Sequence, residues 1–196
     1  MTNSSLDCVS RLFVEGRSFN TWQDKPVSVE MLQSIMELVK FGPTAANGCP
    51  LRVRFIYSAD AKIRLLPALA PANRIKSQTA PVIAVLGMDL NFPMTLPRLF
   101  PHAPHAADAY AGQPELTREV ALRNSSLQVG YFIVAARAHG LDCGPMSGFD
   151  KAMMDEAFWS GTTIETNMIC NLGYGKREDL FNRNPRLSFD ETCTIL

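Results

Sequence analysis

Two arginine-containing segments near opposite ends of the chain carry side chains that could bind a phosphate. Arg17 is followed by Ser18 and, two residues later, by Asn20, so a guanidinium and two short polar groups fall within four residues. Arg183 and Arg186 form a second basic pair near the C-terminus. Guanidinium groups bind phosphate oxygens in a bidentate way, which makes both segments candidates for an anion site. A solvated helix end and ordinary exposed charge remain the alternatives.

The segment from Gly42 to Pro50 reads as a rigid turn built from small residues. Pro43 stops the preceding helix, and Ala45 leaves room for a flat ligand to approach the backbone. Thr44 and Asn47 could hydrogen-bond the edge of such a ring, because an amide offers both a donor and an acceptor. A plain connection between a helix and a strand is the alternative.

A second bend, from Gly144 to Phe149, is rich in glycine and proline. Pro145, Met146, Ser147 and Gly148 lie within it. Bends of this composition expose backbone N–H groups, which often contact the edge of a cofactor. A structural turn before the next helix explains the same residues equally well.

His102, His105 and Asp108 have the spacing of metal ligands, but the prolines around them argue against a site. Pro101 and Pro104 prevent a regular helix, so the spacing fixes no ligand geometry. We therefore predict no metal site.

Several common catalytic signatures are absent from the sequence. No G-x-G-x-x-G follows a strand and no G-x-x-x-x-G-K-[ST] is present, so a nicotinamide would not sit in a Rossmann fingerprint. No G-x-S-x-G occurs, and with three histidines a hydrolytic triad has little support.

Length and charge indicate a single domain and argue against a nucleic-acid-binding protein. The 196 residues suffice for one domain, which we place at residues 1–196. Lysine plus arginine equals aspartate plus glutamate, 19 each, and this balance argues against nucleic acid as the partner.

Apolar patterning and cysteine content indicate a cytoplasmic protein. The first twenty residues contain no apolar core of a secretory signal, and the longest apolar runs are far too short to span a membrane. The five cysteines show no C-x-x-C spacing, which favours reduced thiols over disulfides or zinc ligands.

Hydrophobic periodicity predicts the elements that position these residues. The predicted helices are Val29 to Phe41 with Ser28 as its cap, Ala59 to Leu69, Glu115 to His139, and Asp150 to Trp159 with Asp150 as its cap. The predicted extended segments are Arg52 to Tyr57, Val82 to Gly87, Leu141 to Gly144, and Thr166 to Leu172.

One long segment lies between the strand predicted to end at Gly87 and the helix predicted to begin at Glu115. From Asp89 to Pro114 the chain has five prolines and little periodicity, which predicts a surface excursion of functional interest. Strands separated by helices fit either an α/β or an α+β fold, and the pattern alone does not choose.

Taken in order, these motifs resemble the nitroreductase family of FMN enzymes. The order is Arg17-Ser18, then Pro43-Thr44-x-x-Asn47, then Asn73-x-x-Lys76, then Gly144-Pro145-x-x-Gly148-Phe149, then the basic C-terminal segment. The resemblance spans almost the whole chain and is closest to the malonic semialdehyde reductase (3-hydroxypropanoate dehydrogenase) branch.

The resemblance implies an α+β, nitroreductase-like fold with a central, mostly antiparallel sheet flanked by helices. It further implies an intertwined homodimer with FMN at the interface. The implied cofactor-binding residues are Arg17, Ser18, Asn20, Pro43, Thr44, Ala45, Asn47, Asn73, Lys76, Pro145, Met146, Ser147, Gly148, Arg183 and Arg186.

Within this set, the arginines would hold the phosphate, the Pro43 segment would line the isoalloxazine, and Asn73 with Lys76 would reach its pyrimidine edge. Two positions depart from the family pattern. Many members have an acidic residue at Ser147 and a basic one at Asn20, so the contact near flavin N5 would come from backbone or hydroxyl groups.

The implied reaction is ping-pong hydride transfer from NADH or NADPH through flavin N5 to a small-molecule acceptor, with no catalytic residue required. The branch implies reduction of malonic semialdehyde to 3-hydroxypropanoate. A broad nitroreductase or quinone reductase and a flavin-binding protein without turnover are the alternatives.

We expect the excursion from Asp89 to Pro114 to select the acceptor, through Arg98, His102, His105 or Tyr110.

Overall fold

A computed structural model describes residues 8–196 of the chain. The strands of its sheet are β1 (Leu51–Ile56), β2 (Val82–Asp89), β3 (Asp142–Met146) and β4 (Ile164–Gly173). They lie in the order β1-β2-β4-β3, and every neighbouring pair is antiparallel. This pairing makes the fold α+β, as the resemblance implies, and decides against the α/β alternative.

β2 and β4 form the centre of the sheet. The residues from Val82 to Met88 are all buried, as their continuous apolar sequence predicts. The ladder between the two strands is irregular at Leu86 and Gly87, where a Cβ on the glycine would lie 2.5 Å from Ile164 Cγ2. The missing side chain therefore permits a close approach at the irregularity.

Helices cover both faces of this sheet. In chain order, the helices of the described residues include α1 (Val29–Val39), α2 (Ala59–Leu65), α3 (Pro71–Gln78), α4 (Leu96–Leu99), α5 (Pro114–Ala138), α6 (Lys151–Trp159) and, in the exposed tail, α7 (Phe189–Thr192). The predicted caps are confirmed: Ser28 Oγ accepts a hydrogen bond from the Met31 amide at 3.2 Å, and Asp150 caps α6 in the same way.

Because helices pack on both faces of the sheet, the protein has two apolar cores, one on each face. On one face α1 and α5 pack against the sheet through buried residues that include Ile35 and Phe132. On the other face Leu65 of α2 and Met154 of α6 pack with Trp22. Burial of these large side chains is the main favourable contribution to folding.

The structure corrects the bend predicted at Gly144. Pro145 and Met146 belong to β3, so the extended segment is longer than expected and the turn begins at Ser147. A proline is tolerated there because β3 lies at the edge of the sheet.

Two other element predictions were also inaccurate. The excursion from Asp89 to Pro114, where the sequence indicated no helix, contains α4 and 3₁₀ turns at Phe92–Thr95 and Pro104–Tyr110. The helix predicted to reach Leu69 ends at Leu65 and continues as one 3₁₀ turn through Pro67, and the pattern did not indicate α3. Among residues 8–196 no helix has the length and apolar character needed to cross a membrane.

Candidate active site

A cavity of about 380 Å³ brings the two arginine segments of the sequence together. Arg17, Ser18 and Asn20 line it from the N-terminal side. Arg183 and Arg186 line it from the C-terminal tail, more than 160 residues away in sequence. The predicted phosphate residues therefore share one concave site.

Hydrogen bonds link the two segments that line this cavity. Arg17 Nη2 donates to the Phe181 carbonyl at 2.6 Å, and Arg183 Nη2 donates to the Gly16 carbonyl at 3.2 Å. Arg186 instead donates to carbonyls of its own segment, at Asn184 and Pro185. The first two guanidinium groups are thus fixed across the cavity, whereas Arg186 is fixed only locally.

A fourth arginine lines the cavity and was missed by the sequence analysis. Arg137, in the last turn of α5, donates to the Leu12 carbonyl at 2.9 Å and to the Arg17 carbonyl at 3.4 Å. Its Nε is buried and has no hydrogen-bond partner in the described part of the chain. A polar residue near a helix end is unremarkable in sequence, so no local signal marked it.

The charge of the cavity favours an anion. Its lining contains four arginines and one carboxylate, that of Asp179. Nearby, burial raises the pKa of Asp142 above its ordinary value, against the opposing effects of the Gly175 N–H and of Arg177, Arg137 and Arg11. A ligand phosphate would therefore meet an excess of positive charge.

The Ser18 segment connects this cavity to the edge of the sheet. Ser18 forms a parallel bridge with Cys143, and the Phe19 amide donates to the Cys143 carbonyl at 3.0 Å. Cys143 lies in β3 just before Pro145. Ser18 is consequently a neighbour of β3, the strand that contains Pro145 and Met146, at one edge of the sheet.

The turn after α1 packs closely against Tyr131 of α5. A Cβ on Gly42 would lie 2.0 Å from the Tyr131 ring, and the Tyr131 hydroxyl donates to the Pro43 carbonyl at 3.0 Å. Beyond it the backbone is left-handed at Ala46 and Asn47, with φ of 49° and 52°. Non-glycine residues rarely adopt this conformation, so the turn is strained and must be held by its surroundings.

The polar side chains of this turn are engaged in holding it. Thr44 Oγ1 accepts a hydrogen bond from the Cys49 amide at 3.2 Å. Asn47 Nδ2 donates to the Leu99 carbonyl of α4 at 2.8 Å, which fastens the turn to the excursion. Asn124 Oδ1 accepts from the Ala45 amide at 2.7 Å.

The N-terminus of α3 lies against the turn that follows β3. Asn73 Nδ2 donates to the Gly148 carbonyl at 2.9 Å, and the Ala70 amide donates to the same oxygen at 3.0 Å. The Lys76 carbonyl accepts a hydrogen bond from Trp22 Nε1 at 3.1 Å, and Trp22 is part of the buried core. The fold thus brings Asn73 to Gly148, although these residues are 75 positions apart.

The four residues expected to meet the acceptor are not brought together within the chain. Arg98 lines a separate cavity of about 310 Å³ with Cys49 and Gln128. The other three lie elsewhere on the excursion, each with a neighbour of its own.

His102 stacks on Phe100, with ring centroids 4.0 Å apart. His105 Nδ1 lies 3.6 Å from an Asp108 carboxylate oxygen, with both side chains exposed. Tyr110 packs edge-on against the buried ring of Phe92. Within residues 8–196 no group of three or more histidine, cysteine or acidic side chains has a geometry suited to a metal.

Comparison with known proteins gives one consistent result. The model of the nitroreductase family matches residues 17–174. A protein of Leptothrix cholodnii with the provisional name NADH dehydrogenase/NAD(P)H nitroreductase is 50% identical over 188 residues, 96% of this chain and 95% of its own length. A protein of Stutzerimonas stutzeri with the same provisional name is 51% identical over 189 residues and 96% of both chains.

Solved structures of similar proteins show the same fold. A Bacillus subtilis protein described provisionally as a nitroreductase superposes with a TM-score of 0.89 at 21% identity, covering 97% of this chain and 100% of its own. A provisional nitroreductase of Exiguobacterium sibiricum, solved in complex with FMN, superposes with a TM-score of 0.83 at 21% identity, covering 97% and 96%.

Proposed function

The chain belongs to the nitroreductase family, and from this premise we propose that it is an FMN-dependent NAD(P)H oxidoreductase. Relatives at 50% identity over nearly the whole chain are named for NADH and NAD(P)H chemistry, and a protein of the same fold binds FMN. The observation that carries the proposal is the cavity lined by arginines from both the N-terminal and the C-terminal segment, whose positive charge would suit a phosphate.

The residues around this cavity fit the phosphate end of FMN. Arg17 and Arg183 are already oriented by backbone carbonyls, so binding would cost little further side-chain entropy. Ser18 and Asn20 add short polar groups at the same rim, and Arg186 would complete the clamp. The buried Nε of Arg137 is a donor still in need of an acceptor.

Three further segments of the chain would receive the ring system. Those proposed to line it are Pro43, Thr44, Ala45 and Asn47 in the turn after α1, Asn73 and Lys76 on α3, and Pro145, Met146, Ser147 and Gly148 at the end of β3. The Asn73 amide reaches this region only indirectly, since it donates to the Gly148 carbonyl and so fixes the backbone there.

The chemistry supplied by the bound cofactor would be transfer of a hydride from NADH or NADPH to flavin N5 and from there to the acceptor, in a ping-pong sequence. The protein's part would be to bind, orient and exclude water, and no side chain is assigned as a catalytic acid or base.

For the acceptor we propose malonic semialdehyde, reduced to 3-hydroxypropanoate, on the resemblance of the chain to that branch. One observation favours the alternative, a broad-specificity nitro- or quinone reductase. Arg98, His102, His105 and Tyr110 do not converge within one chain, so they form no carboxylate site there. The names of the relatives, which refer to a nitroreductase, also favour the broad-specificity alternative.

We also propose a homodimer with FMN at its interface. An apolar groove of about 930 Å³ runs along α5, where Leu127 and Tyr131 lie opposite Phe41 of the α1 turn. The tail from 181 to 196 is exposed along its whole length, although it contains large apolar residues. Exposed apolar surfaces of this size commonly mark protein interfaces.

Two measurements test the function. The purified protein should show flavin absorption bands that bleach anaerobically with NADH or NADPH. A flavin-loaded protein that neither donor bleaches would be a binding protein without turnover, and a protein that retains no FMN would contradict the proposal. The kcat/KM values for malonic semialdehyde and for a nitroaromatic then separate the two acceptors, because an equal or reversed preference would rule out the semialdehyde.

A further inference from the structure

Two buried amide side chains on α5 hold the two ends of the turn that leads into β1. Asn124 Oδ1 accepts a hydrogen bond from the Ala45 amide at 2.7 Å, and Gln128 Oε1 accepts one from the Leu51 amide at 2.9 Å. The two side chains are 3% and 5% exposed. They lie four residues apart, so both project from the same face of the helix, one turn from each other.

The turn between these two anchors is strained. Ala46, Asn47 and Cys49 have φ values of 49°, 52° and 42°. All three values lie in the left-handed region, which is unfavourable for residues other than glycine. A segment with three such residues among four would relax if it were free, so its conformation depends on contacts outside it. The two amides of α5 supply contacts at its first residue and at its last.

The amides have an energetic cost that an apolar side chain at the same place would avoid. Burying a polar group is unfavourable unless its hydrogen bonds are satisfied. Asn124 meets this requirement with both its oxygen and its nitrogen, because Oδ1 accepts from the Ala45 amide and Nδ2 donates to the Val120 carbonyl at 2.9 Å. The backbone of the turn is therefore anchored by a buried amide whose oxygen and nitrogen both have a hydrogen-bond partner.

We propose that Asn124 and Gln128 are positioning residues for the flavin, which act by fixing the segment from Ala45 to Leu51 before the cofactor arrives. The inference rests on the proposed function, in which Ala45 and Asn47 line the isoalloxazine ring. A preformed segment does not need to be ordered at the moment of binding, so holding it in place strengthens FMN binding without any contact between α5 and the ring.

Variants that keep the volume but remove the acceptor test this inference. Asn124→Leu and Gln128→Met should each weaken FMN binding about fivefold, the effect expected for one lost buried hydrogen bond. The dissociation constant is measured by quenching of FMN fluorescence well below the melting temperature. Amide hydrogen exchange in the segment from 45 to 51 should become faster in the flavin-free protein.

Two further variants separate positioning from stability. Ser125→Ala removes a buried hydroxyl of the same helix that accepts a hydrogen bond from Asn167 Nδ2 at 2.8 Å, far from the turn in the hydrogen-bond network. It should lower the melting temperature and leave the FMN dissociation constant unchanged. Gln128→Glu keeps an acceptor for the Leu51 amide, so it should bind FMN like the wild type even where its stability falls.

The outcomes distinguish this inference from the proposed function. If Asn124→Leu and Gln128→Met lower the melting temperature but change neither the dissociation constant nor the exchange of residues 45–51, the amides only stabilise the fold and the inference is wrong. If the wild type binds no FMN, the proposed function fails. The exchange measurement on the flavin-free protein would still show whether the two amides hold the turn.

Discussion

At the scale of single residues, the arginines of the cavity are not equivalent. Arg17 and Arg183 reach across it to backbone carbonyls, whereas Arg186 folds back on its own segment. A guanidinium that is already fixed in place loses less entropy when it binds a phosphate. We therefore expect Arg17 to contribute more to cofactor binding than Arg186.

The first prediction is that Arg17→Ala weakens FMN binding about 10- to 150-fold, since a charge-assisted hydrogen bond contributes ~1.5–3 kcal/mol. Riboflavin lacks the phosphate, so its dissociation constant should not change. Both constants are measured by fluorescence quenching, with Arg54→Ala as the control because Arg54 lies on β1 outside the cavity lining. Equal weakening of FMN and riboflavin would show that Arg17 supports the fold and not the phosphate.

The sequence marks residues whose chemistry is distinctive, but it does not mark residues whose role depends on burial. Arg17 and Arg183 stand out by type and by their polar neighbours, and the fold brings them together. Asn124, Gln128 and Arg137 lie in a long helix of mixed polarity, where such residues are indistinguishable from a solvated face. Only the tertiary packing of α5 shows that the two amides are buried.

At the scale of elements, close approaches between backbone and side chains determine how the edge of the sheet meets the core. A Cβ on Gly175 would lie 1.9 Å from Cδ1 of Phe19, whose ring is buried. The Gly175 amide also donates to Asp142 Oδ2 at 2.9 Å, which fixes the backbone that would have to move. Neither the Gly175 backbone nor the Phe19 ring can therefore move freely to make room for a methyl group.

The second prediction follows from that contact. Gly175→Ala should lower the free energy of unfolding by ~1–3 kcal/mol, as overpacking of a well-packed core does. Urea unfolding measures the change. The double variant Gly175→Ala/Phe19→Leu should recover part of the loss relative to the sum of the single variants, because the smaller side chain relieves the clash. Strictly additive effects would contradict the geometry.

The third prediction concerns the contact between α6 and β4. Asp155 accepts hydrogen bonds from the Thr166 amide at 2.7 Å and from Lys151 Nζ at 2.6 Å. Burial alone would raise the pKa of Asp155, but the hydrogen bonds from Lys151 and Thr166 outweigh it and hold the pKa below its ordinary value of 3.8. The folded state therefore binds this proton less readily than the unfolded state.

For a depressed carboxyl pKa, the stabilisation is present above the unfolded value and is lost as the pH falls through the folded value. The free energy of unfolding should thus fall more steeply below about pH 4 in the wild type than in Asp155→Asn, where no carboxylate remains to be protonated. Urea titrations between neutral and acidic pH measure both slopes. Asp24→Asn, which removes an exposed carboxylate, is the control, and identical slopes for wild type and Asp155→Asn would refute the prediction.

The elements themselves were predictable where a local signal existed. Ser28 and Asp150 marked the beginnings of α1 and α6, and both caps are confirmed. The extent of β3 was not predictable, because Pro145 reads as a strand breaker unless the strand is known to lie at an edge. That position is a property of the whole sheet.

At the scale of the whole molecule, the fold class depends on pairings that no local pattern encodes. β2 pairs with β4 although residues 90–163 separate them along the chain, and β1 and β3 take the two edges. The alternation of helices and strands fits either class, so the antiparallel pairing could be expected only from the resemblance to a family. The structure confirms that expectation.

The surface of a single chain leaves apolar area exposed in two places. One is the groove along α5, where Leu127 is 46% exposed and Phe41 is 78% exposed. The other is the tail, where Leu187 and Phe189 are each more than 60% exposed. If the proposed homodimer covers the groove, then cofactor binding and association of the chains should be linked, because FMN would bind the dimer more tightly than the monomer.

The fourth prediction tests this linkage. Leu127→Glu places a charge in the groove, where a partner surface would have to desolvate it, so the variant should be monomeric at concentrations at which the wild type is a dimer. Light scattering after size exclusion measures the mass, and fluorescence quenching measures the loss of FMN affinity. Ile63→Glu is the matched control, because Ile63 is 67% exposed on α2 and lies outside the groove. A Leu127→Glu protein that remains dimeric would place the interface elsewhere, whereas a monomer with wild-type FMN affinity would show that one chain suffices to form the site.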